Sequence, residues 1–196
     1  MSKLIVKGPS VLKGTIRVAG NKNHVLPMMA ACLLVKGVTK LHNVPHISDV
    51  EVMTSMFTGL GATVVRSGTT LTIDATNLTA TDTYLQDARK MRASLLVLGG
   101  AIGRLGSILI AQPGGDIIGA RSLGVHGRIF EDLGLSITVS DAGVKLVGKV
   151  QGNCVVNAER TVTPTENAVL AAVLGKGHRQ IRLAALEPHV VSLCEY

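Results

Sequence analysis

Two stretches of the sequence repeat one pattern: residues 60–73 read LGATVVRSGTTLTI, and residues 133–147 read LGLSITVSDAGVKLV. Each stretch begins with Leu-Gly, continues with alternating apolar residues, passes through a turn and ends in a second short apolar run. Alternation with a period of two is typical of a half-buried strand. We therefore predict a β-hairpin in each stretch, within a structural unit that is repeated along the chain.

A helix is predicted before each hairpin, at residues 49–61 (DVEVMTSMFTGLG) and 124–134 (GVHGRIFEDLG), because apolar residues recur there at helical spacing and glycine lies near the end. Further upstream, stretches rich in small residues predict a second set of helices. These stretches are NKNHVLPMMAACLL (21–34), KMRASLLVLGGAI (90–102) and PTENAVLAAVLG (164–175). The predicted unit is strand, helix, strand, helix and hairpin, and its third copy begins at about residue 155.

The third copy is expected to be incomplete in this sequence. Pro188-His189-Val190 matches Pro45-His46-Ile47, after which the first copy continues through a helix to its hairpin. The third copy instead reaches Tyr196 within the corresponding helix. A helix ending there would leave the apolar faces of its neighbours uncovered. The alternative is an ordinary alternation of helices and hairpins in which the third copy is shorter.

Composition indicates a globular α/β chain with a real core. It has 196 residues, of which 46% are hydrophobic, enough for one domain or slightly more. No apolar run is long enough to span a membrane, and the opening MSKLIVKGPS lacks the features of a signal peptide, so a cytoplasmic location is expected. Three widely spaced cysteines form no CxxC pair, which predicts reduced and mostly buried thiols, with Cys32 as a small buried residue.

The formal net charge of +7 favours an acidic partner. A small anionic substrate is favoured over nucleic acid, because the chain has two Tyr, two Phe and no Trp for base stacking and its cationic residues are dispersed. No metal site or cofactor is expected, since His42 and His46 flank Pro45 without the glutamate of an HExxH motif. The remaining histidines, His24, His126, His178 and His189, are interpreted as ordinary polar or core residues.

Two helix starts are candidate anion sites. In GNKNHVLP (20–27), Lys22, Asn23 and backbone N–H groups at a strand-to-helix junction would suit an anion, although a helix cap by Asn21 or Asn23 with a solvated lysine explains the same residues. In KMRASLL, Arg92 stands at the head of an apolar helix, where arginine can pair bidentately with phosphate or carboxylate. A helix-end arginine reaching out to water is the alternative there.

A third candidate is the loop QPGGDIIGARS (112–122). Gly114 and Gly115 permit a tight turn, so Asp116 would be carried on a mobile tip and Arg121 would lie at the start of the following helix. A surface turn with aspartate as a turn residue is the alternative. Because acidic and basic residues recur at loop and helix starts of a repeat, the three candidates together suggest one site.

Six stretches together resemble the UDP-N-acetylglucosamine 1-carboxyvinyltransferase family of enolpyruvyl transferases, in the family's order. They are GTIRVAGNKNHVLP, HNVPHISDV, MRASLLVLGGAIGRLG, PGGDIIGARSLGVH, TPTENAVLAAVLGKG and EPHVVSLCEY. The resemblance implies an inverse α/β barrel of two similar domains, each built from βαβαββ units. Residues 1–21 would then supply strands to the second domain, and residues 22–196 would form the domain with the catalytic loop, its third unit incomplete and the rest of the second domain absent.

The resemblance also implies the reaction, which transfers enolpyruvyl from phosphoenolpyruvate to the 3′-hydroxyl of UDP-N-acetylglucosamine and releases phosphate. Lys22 and Asn23 match contacts to phosphoenolpyruvate, and Arg121 matches the loop arginine near its phosphate. The residues that match sugar-nucleotide positions are Arg92, Ser122, Leu123, Gly124, Val125, Arg160, Thr161, Val162 and Thr163.

The sequence departs from the family pattern at several positions. Asp116 stands where the family usually has cysteine, Ser122 where it has proline, Gly124 where aspartate is frequent, and Pro164 where a small residue is commoner. We expect Asp116 to protonate the enolpyruvyl methylene if burial on loop closure raises its pKa. The antibiotic fosfomycin alkylates the family's thiol, so an aspartate there predicts fosfomycin resistance.

Two other functions are compatible with the sequence. The sister enzyme 5-enolpyruvylshikimate-3-phosphate synthase shares the fold and chemistry, but favours serine after the lysine where this chain reads GNKN. The other alternative is a non-catalytic module that binds the sugar nucleotide, because the second domain normally provides an aspartate base and another arginine. Phosphate release from the two substrates distinguishes catalysis from binding alone.

Overall fold

A computed structural model of the chain describes residues 3–79, 85–114, 123–150 and 152–196. Short helices and strands follow one another from residue 22 to residue 195. In chain order they are α1 (Lys22–Cys32), β1 (Val38–Leu41), α2 (Ser48–Gly59), β2 (Thr63–Ser67), β3 (Thr70–Asp74), α3 (Leu85–Ala88), a 3₁₀ turn (Arg92–Leu95), α4 (Leu96–Leu105), β4 (Ser107–Ile110), α5 (Gly124–Asp132), β5 (Ser136–Ser140), β6 (Gly143–Val147), β7 (Cys154–Asn157), α6 (Val162–Val173), β8 (Arg179–Arg182) and α7 (Pro188–Glu195). Within the described ranges, no helix has the length and apolar character needed to cross a bilayer.

Both predicted hairpins are confirmed, and each belongs to a small antiparallel sheet. β2 and β3 pair with Val64 opposite Ile73, and β5 and β6 pair with Val139 opposite Val144. The strand order is β1-β3-β2 in the first sheet and β4-β6-β5 in the second, so the last hairpin strand is central in both. In the third copy β7 and β8 are parallel, with α6 as the crossover helix between them. The predicted α/β class is therefore confirmed.

The strand predicted to open each unit occurs only once in the part of the chain that the structure describes, as β7. Residues 3–20 contain no helix or strand, and residues 3–19 are exposed. A strand needs a neighbour for its backbone N–H and C=O groups, and no described strand pairs with these residues. In the second unit, the residues immediately before α4 form α3 and the 3₁₀ turn instead of a strand. Residues 80–84, which precede α3, lie outside the described residues, so the leading strand of the second unit stays a prediction, as does the pairing of residues 1–21 with a second domain.

The three helices rich in small residues, α1, α4 and α6, pack against one another at the centre of the molecule. Gly99 and Gly100 of α4 permit this packing. A β-carbon at Gly100 would lie 2.5 Å from the carbonyl oxygen of Ala30 in α1, and one at Gly99 would lie 2.5 Å from Oδ1 of Asn167 in α6. Cys32 is fully buried in the same core, as predicted, but Cys154 is half-buried and Cys194 is exposed, so the prediction of mostly buried thiols was wrong for the other two.

Candidate functional site

A cleft of about 370 Å³ opens where the 3₁₀ turn, the first turn of α5 and the first turn of α6 meet. We call it the α5–α6 cleft. Its walls carry a cationic side chain, two hydroxyl groups, an imidazole and apolar groups. The lining residues are Arg92, Val125, His126, Thr161, Val162, Thr163 and Pro164.

The start of α6 gives the cleft an anion-binding wall. Thr161 is the N-cap residue, but its hydroxyl donates to the carbonyl of Ala158 at 2.7 Å instead of capping the helix. The first N–H groups of an α-helix have no partner within the helix, and they carry the positive end of its dipole. In α6 these are the N–H groups of Val162 and Thr163, since Pro164 has none, and together with the guanidinium of Arg92 they can hold a phosphate or diphosphate group.

His126 and Asn167 connect the cleft to the core. Oδ1 of Asn167 accepts from the N–H of Gly99 at 3.0 Å, so its amide nitrogen is the group that donates to Nδ1 of His126, at 3.3 Å. A neutral His126 then carries its proton on Nε2. Burial, with a smaller effect from the positive charge of Arg92, lowers the pKa of His126 to about 4. His126 is therefore a neutral N–H donor at pH 7, and sequence reasoning assigned it no role in a site.

Lys22 and Asn23 lie elsewhere, in the first turn of α1. The side chain of Asn21 accepts from the N–H of Asn23 at 2.7 Å, which confirms Asn21 as the helix cap. Nζ of Lys22 lies 2.9 Å from Oδ2 of Asp49 on α2. Neither Lys22 nor Asn23 lines the α5–α6 cleft. Asn21 and His24 line a separate cavity of about 300 Å³ at this end of α1.

The remaining candidates fall into two groups. Leu123 and Gly124 begin α5 directly beside Val125, whereas Arg160 lines a neighbouring cavity with the segment 184–187. Asp116, Arg121 and Ser122 lie outside the described residues. Of the residues that match sugar-nucleotide positions, the cleft thus brings together Arg92, Val125, Thr161, Val162 and Thr163.

Comparison with known proteins gives the class of this protein. The sequence model of the EPSP synthase (3-phosphoshikimate 1-carboxyvinyltransferase) family matches residues 6–196, and the chain belongs to that family. Its fold is similar to the crystal structure of the enolpyruvyl transferase NikO from Streptomyces tendae, with a TM-score of 0.79 and 18% identity over 94% of this chain and 44% of that one.

Within the family, several curated relatives share one name. The UDP-N-acetylglucosamine 1-carboxyvinyltransferase of Desulfatibacillum aliphaticivorans is 39% identical over 196 residues, which is 100% of this chain and 47% of the relative. That of Borreliella burgdorferi is 39% identical over 195 residues, 99% of this chain and 46% of the relative. The resemblance found in the sequence is confirmed. The chain spans about half the length of the curated relatives it matches.

Proposed function

We propose that the protein transfers enolpyruvyl from phosphoenolpyruvate to the 3′-hydroxyl of UDP-N-acetylglucosamine, releasing phosphate, as the first committed step of peptidoglycan synthesis in the cytoplasm. The α5–α6 cleft carries the proposal, since it is lined by residues that match the family's sugar-nucleotide positions. Curated relatives with this activity by name support the choice of UDP-N-acetylglucosamine over shikimate 3-phosphate.

The cleft offers a complementary group to each part of a sugar nucleotide. Arg92 and the amide groups at the start of α6 suit the diphosphate, because charge-assisted hydrogen bonds are the strongest available to it. Val125 offers an apolar surface to the flat base, and the neutral imidazole of His126 offers an N–H donor. Hydrogen bonds of this kind orient the nucleotide and so decide which hydroxyl is presented for reaction.

Phosphoenolpyruvate would bind to Lys22, Asn23 and Arg121. The carboxylate of Asp49 lies 2.9 Å from the ammonium of Lys22 and keeps that cation at the head of α1. Lys22 is about half exposed, so an incoming phosphate can share it with Asp49. The sugar hydroxyl gives its proton to a base while its oxygen bonds to C2 of the enol, and the methylene takes a proton to become a methyl group. The methyl group then loses a proton as the C–O bond to phosphate breaks, which re-forms the double bond and releases phosphate.

Asp116 is our candidate for the acid that protonates the methylene. A carboxylic acid can deliver this proton when an apolar surrounding raises its pKa. A carboxylate is a much weaker nucleophile than a thiolate, so the epoxide of fosfomycin should not alkylate it.

The role of the loop is tested by mass spectrometry after incubation with fosfomycin and UDP-N-acetylglucosamine. We expect Asp116→Cys to gain a covalent adduct at residue 116 and the parent chain to gain none. Asp141→Cys, in the exposed turn between β5 and β6, is the matched control for a thiol outside the site. An adduct on Asp116 of the parent would overturn the assignment.

Sugar-nucleotide binding is tested by calorimetric titration of the 196-residue chain. Arg92→Lys should weaken UDP-N-acetylglucosamine binding about tenfold, because lysine cannot reproduce the bidentate contact. Arg66→Lys, on β2 and away from the cleft, should leave it unchanged. Tighter binding of shikimate 3-phosphate than of UDP-N-acetylglucosamine would favour the sister enzyme instead.

Phosphate release separates catalysis from binding alone. The chain spans half of its relatives' length, and the family resemblance assigns an aspartate base to the other half. We therefore expect the 196 residues to bind UDP-N-acetylglucosamine without releasing phosphate from phosphoenolpyruvate. Turnover by these residues alone would contradict the assignment of a required catalytic base to the other half.

A further inference from the structure

Two consecutive residues in front of the α5–α6 cleft have an uncommon backbone conformation. Glu159 and Arg160 have φ angles of 52° and 54°. Non-glycine side chains rarely adopt this left-handed region, because the β-carbon then crowds the following carbonyl oxygen. Two such residues in succession persist only where surrounding contacts hold them. They immediately precede Thr161, which lines the cleft.

Contacts from three directions hold this turn. The N–H of Glu159 donates to Oδ1 of Asn157 at 3.1 Å, and the N–H of Arg160 donates to the carbonyl of Leu183 at 2.6 Å. The third contact comes from the opposite wall of the cleft: Nη2 of Arg128, on α5, donates to Oε1 of Glu159 at 2.5 Å. Glu159 therefore ties the residues before α6 to α5, in addition to the hydrogen bond between Asn167 of α6 and His126 of α5.

We propose that Glu159 is a positioning residue for the nucleotide cleft, acting through its ion pair with Arg128. The pair fixes the separation between the Thr161–Thr163 wall and the α5 wall, and thereby sets the affinity for the sugar nucleotide. This inference rests on the proposed function. Both side chains are about half exposed, at 57% for Arg128 and 42% for Glu159, so the pair adds little to overall stability. Loss of the pair should instead change the opening of the turn at Glu159 and Arg160 and the affinity for the sugar nucleotide.

Amide hydrogen exchange tests the positioning role without any ligand. In Glu159→Gln, the hydrogen-bonded amides of Arg160 and Thr161 should exchange about tenfold faster, because the turn opens more often. Calorimetry should show about threefold to tenfold weaker UDP-N-acetylglucosamine binding. Glu51→Gln is the matched control, since Glu51 pairs with Arg66 far from the cleft. It should change neither quantity.

A second pair of variants tests the backbone conformation of residue 159 separately from its ion pair, because both variants lack the carboxylate. Glycine adopts a positive φ freely and alanine does not, so Glu159→Gly should bind the nucleotide more tightly than Glu159→Ala. The reversed pair, Arg128→Glu with Glu159→Arg, should recover binding relative to either single reversal.

Unchanged exchange in Glu159→Gln, or altered exchange with unaltered affinity, would overturn the positioning role. A parent chain that binds no UDP-N-acetylglucosamine would instead contradict the proposed function. In that case the amide exchange rates of Arg160 and Thr161 would decide whether Glu159 holds the turn in place.

Discussion

Glu166 and Asn167 are neighbours on α6 and both are buried, yet their surroundings differ. Asn167 accepts from Gly99 and donates to His126. Oε1 of Glu166 has no hydrogen-bond partner, and neither has Nε2 of His189 on α7, which lies 3.9 Å away. A neutral amide can satisfy two neighbours at once, whereas a buried carboxyl group depends on its protonation state. The side of α6 toward the cleft is thus fixed by hydrogen bonds, and the side toward α7 depends on pH.

The electrostatics of Glu166 follow from its position. Burial, with a smaller effect from the nearby carboxylate of Glu187, raises the pKa of Glu166 to about 7. Glu166 therefore ionises at a higher pH than an exposed glutamate does. Because Asn167 carries no charge at any pH, the two neighbours should respond differently to substitution.

The largest effect is expected from Asn167→Leu. The change removes the side-chain acceptor of the buried Gly99 N–H and leaves Nδ1 of His126 without its donor, and should lower the free energy of unfolding by roughly 3–5 kcal/mol. Chemical denaturation measures this loss. Asn153→Leu is the control, since exposed Asn153 also accepts a backbone N–H, from His178 at 2.7 Å, and should cost less than about 1 kcal/mol. Equal losses of unfolding free energy in the two variants would show that the buried hydrogen bonds of Asn167 contribute no more to stability than the exposed bond of Asn153.

Glu166→Gln should have an intermediate effect that grows with pH. The folded pKa, about 7, lies above the ordinary value of 4.5, so protonated Glu166 stabilises the fold at low pH and that contribution is lost as pH rises through 7. Glutamine cannot ionise, so the variant should gain roughly 2 kcal/mol over the parent between pH 5 and pH 9. Denaturation at both pH values measures it.

Glu187→Gln tests the second cause of the raised pKa of Glu166, the nearby carboxylate. Removing the nearby carboxylate should give a smaller gain in the same direction, because burial is the larger cause of the shift in the pKa of Glu166. A difference between Glu166→Gln and the parent that does not vary with pH would refute the pH dependence of this side of α6.

The smallest effect is expected from Thr165→Val. The buried hydroxyl of Thr165 donates to the carbonyl of Thr161 at 2.6 Å and accepts from the N–H of Ala185 at 3.0 Å. Valine keeps the shape but leaves that N–H unpaired, at a cost of about 1–2 kcal/mol. Thr58→Val removes an exposed hydroxyl that donates to Thr54, and serves as control with a cost below about 0.5 kcal/mol. If both variants lost a similar amount of unfolding free energy, the buried hydroxyl of Thr165 would contribute no more to stability than an exposed one.

The repeated parts of the fold could be predicted because their signals are local. Alternation in residues 60–73 and 133–147 reports one buried face, and β2–β3 and β5–β6 follow it closely. The leading strands could not be predicted in the same way. Residues 15–18 (TIRV) alternate between polar and apolar side chains, but a strand also requires a paired neighbour, which local pattern does not reveal.

The site was predictable only in part. Family resemblance identified Arg92, Val125 and the residues at the start of α6, because whole motifs carried them. The Lys22–Asp49 and Arg128–Glu159 pairs join exposed or half-buried residues that are distant in sequence, so nothing local indicates them. His126 shares a helical turn with Val125, and that adjacency was the one available signal for its place in the cleft.

Gly99 and Gly100 have a consequence for how α4 can vary among relatives. Successive residues of an α-helix point about 100° apart, so one glycine faces α6 and the next faces α1. Inserting or deleting a single residue between the start of α4 and this pair would rotate both glycines away and drive larger side chains into both neighbours. Length differences between this chain and its relatives should therefore fall in the loops, and α4 should keep a constant register.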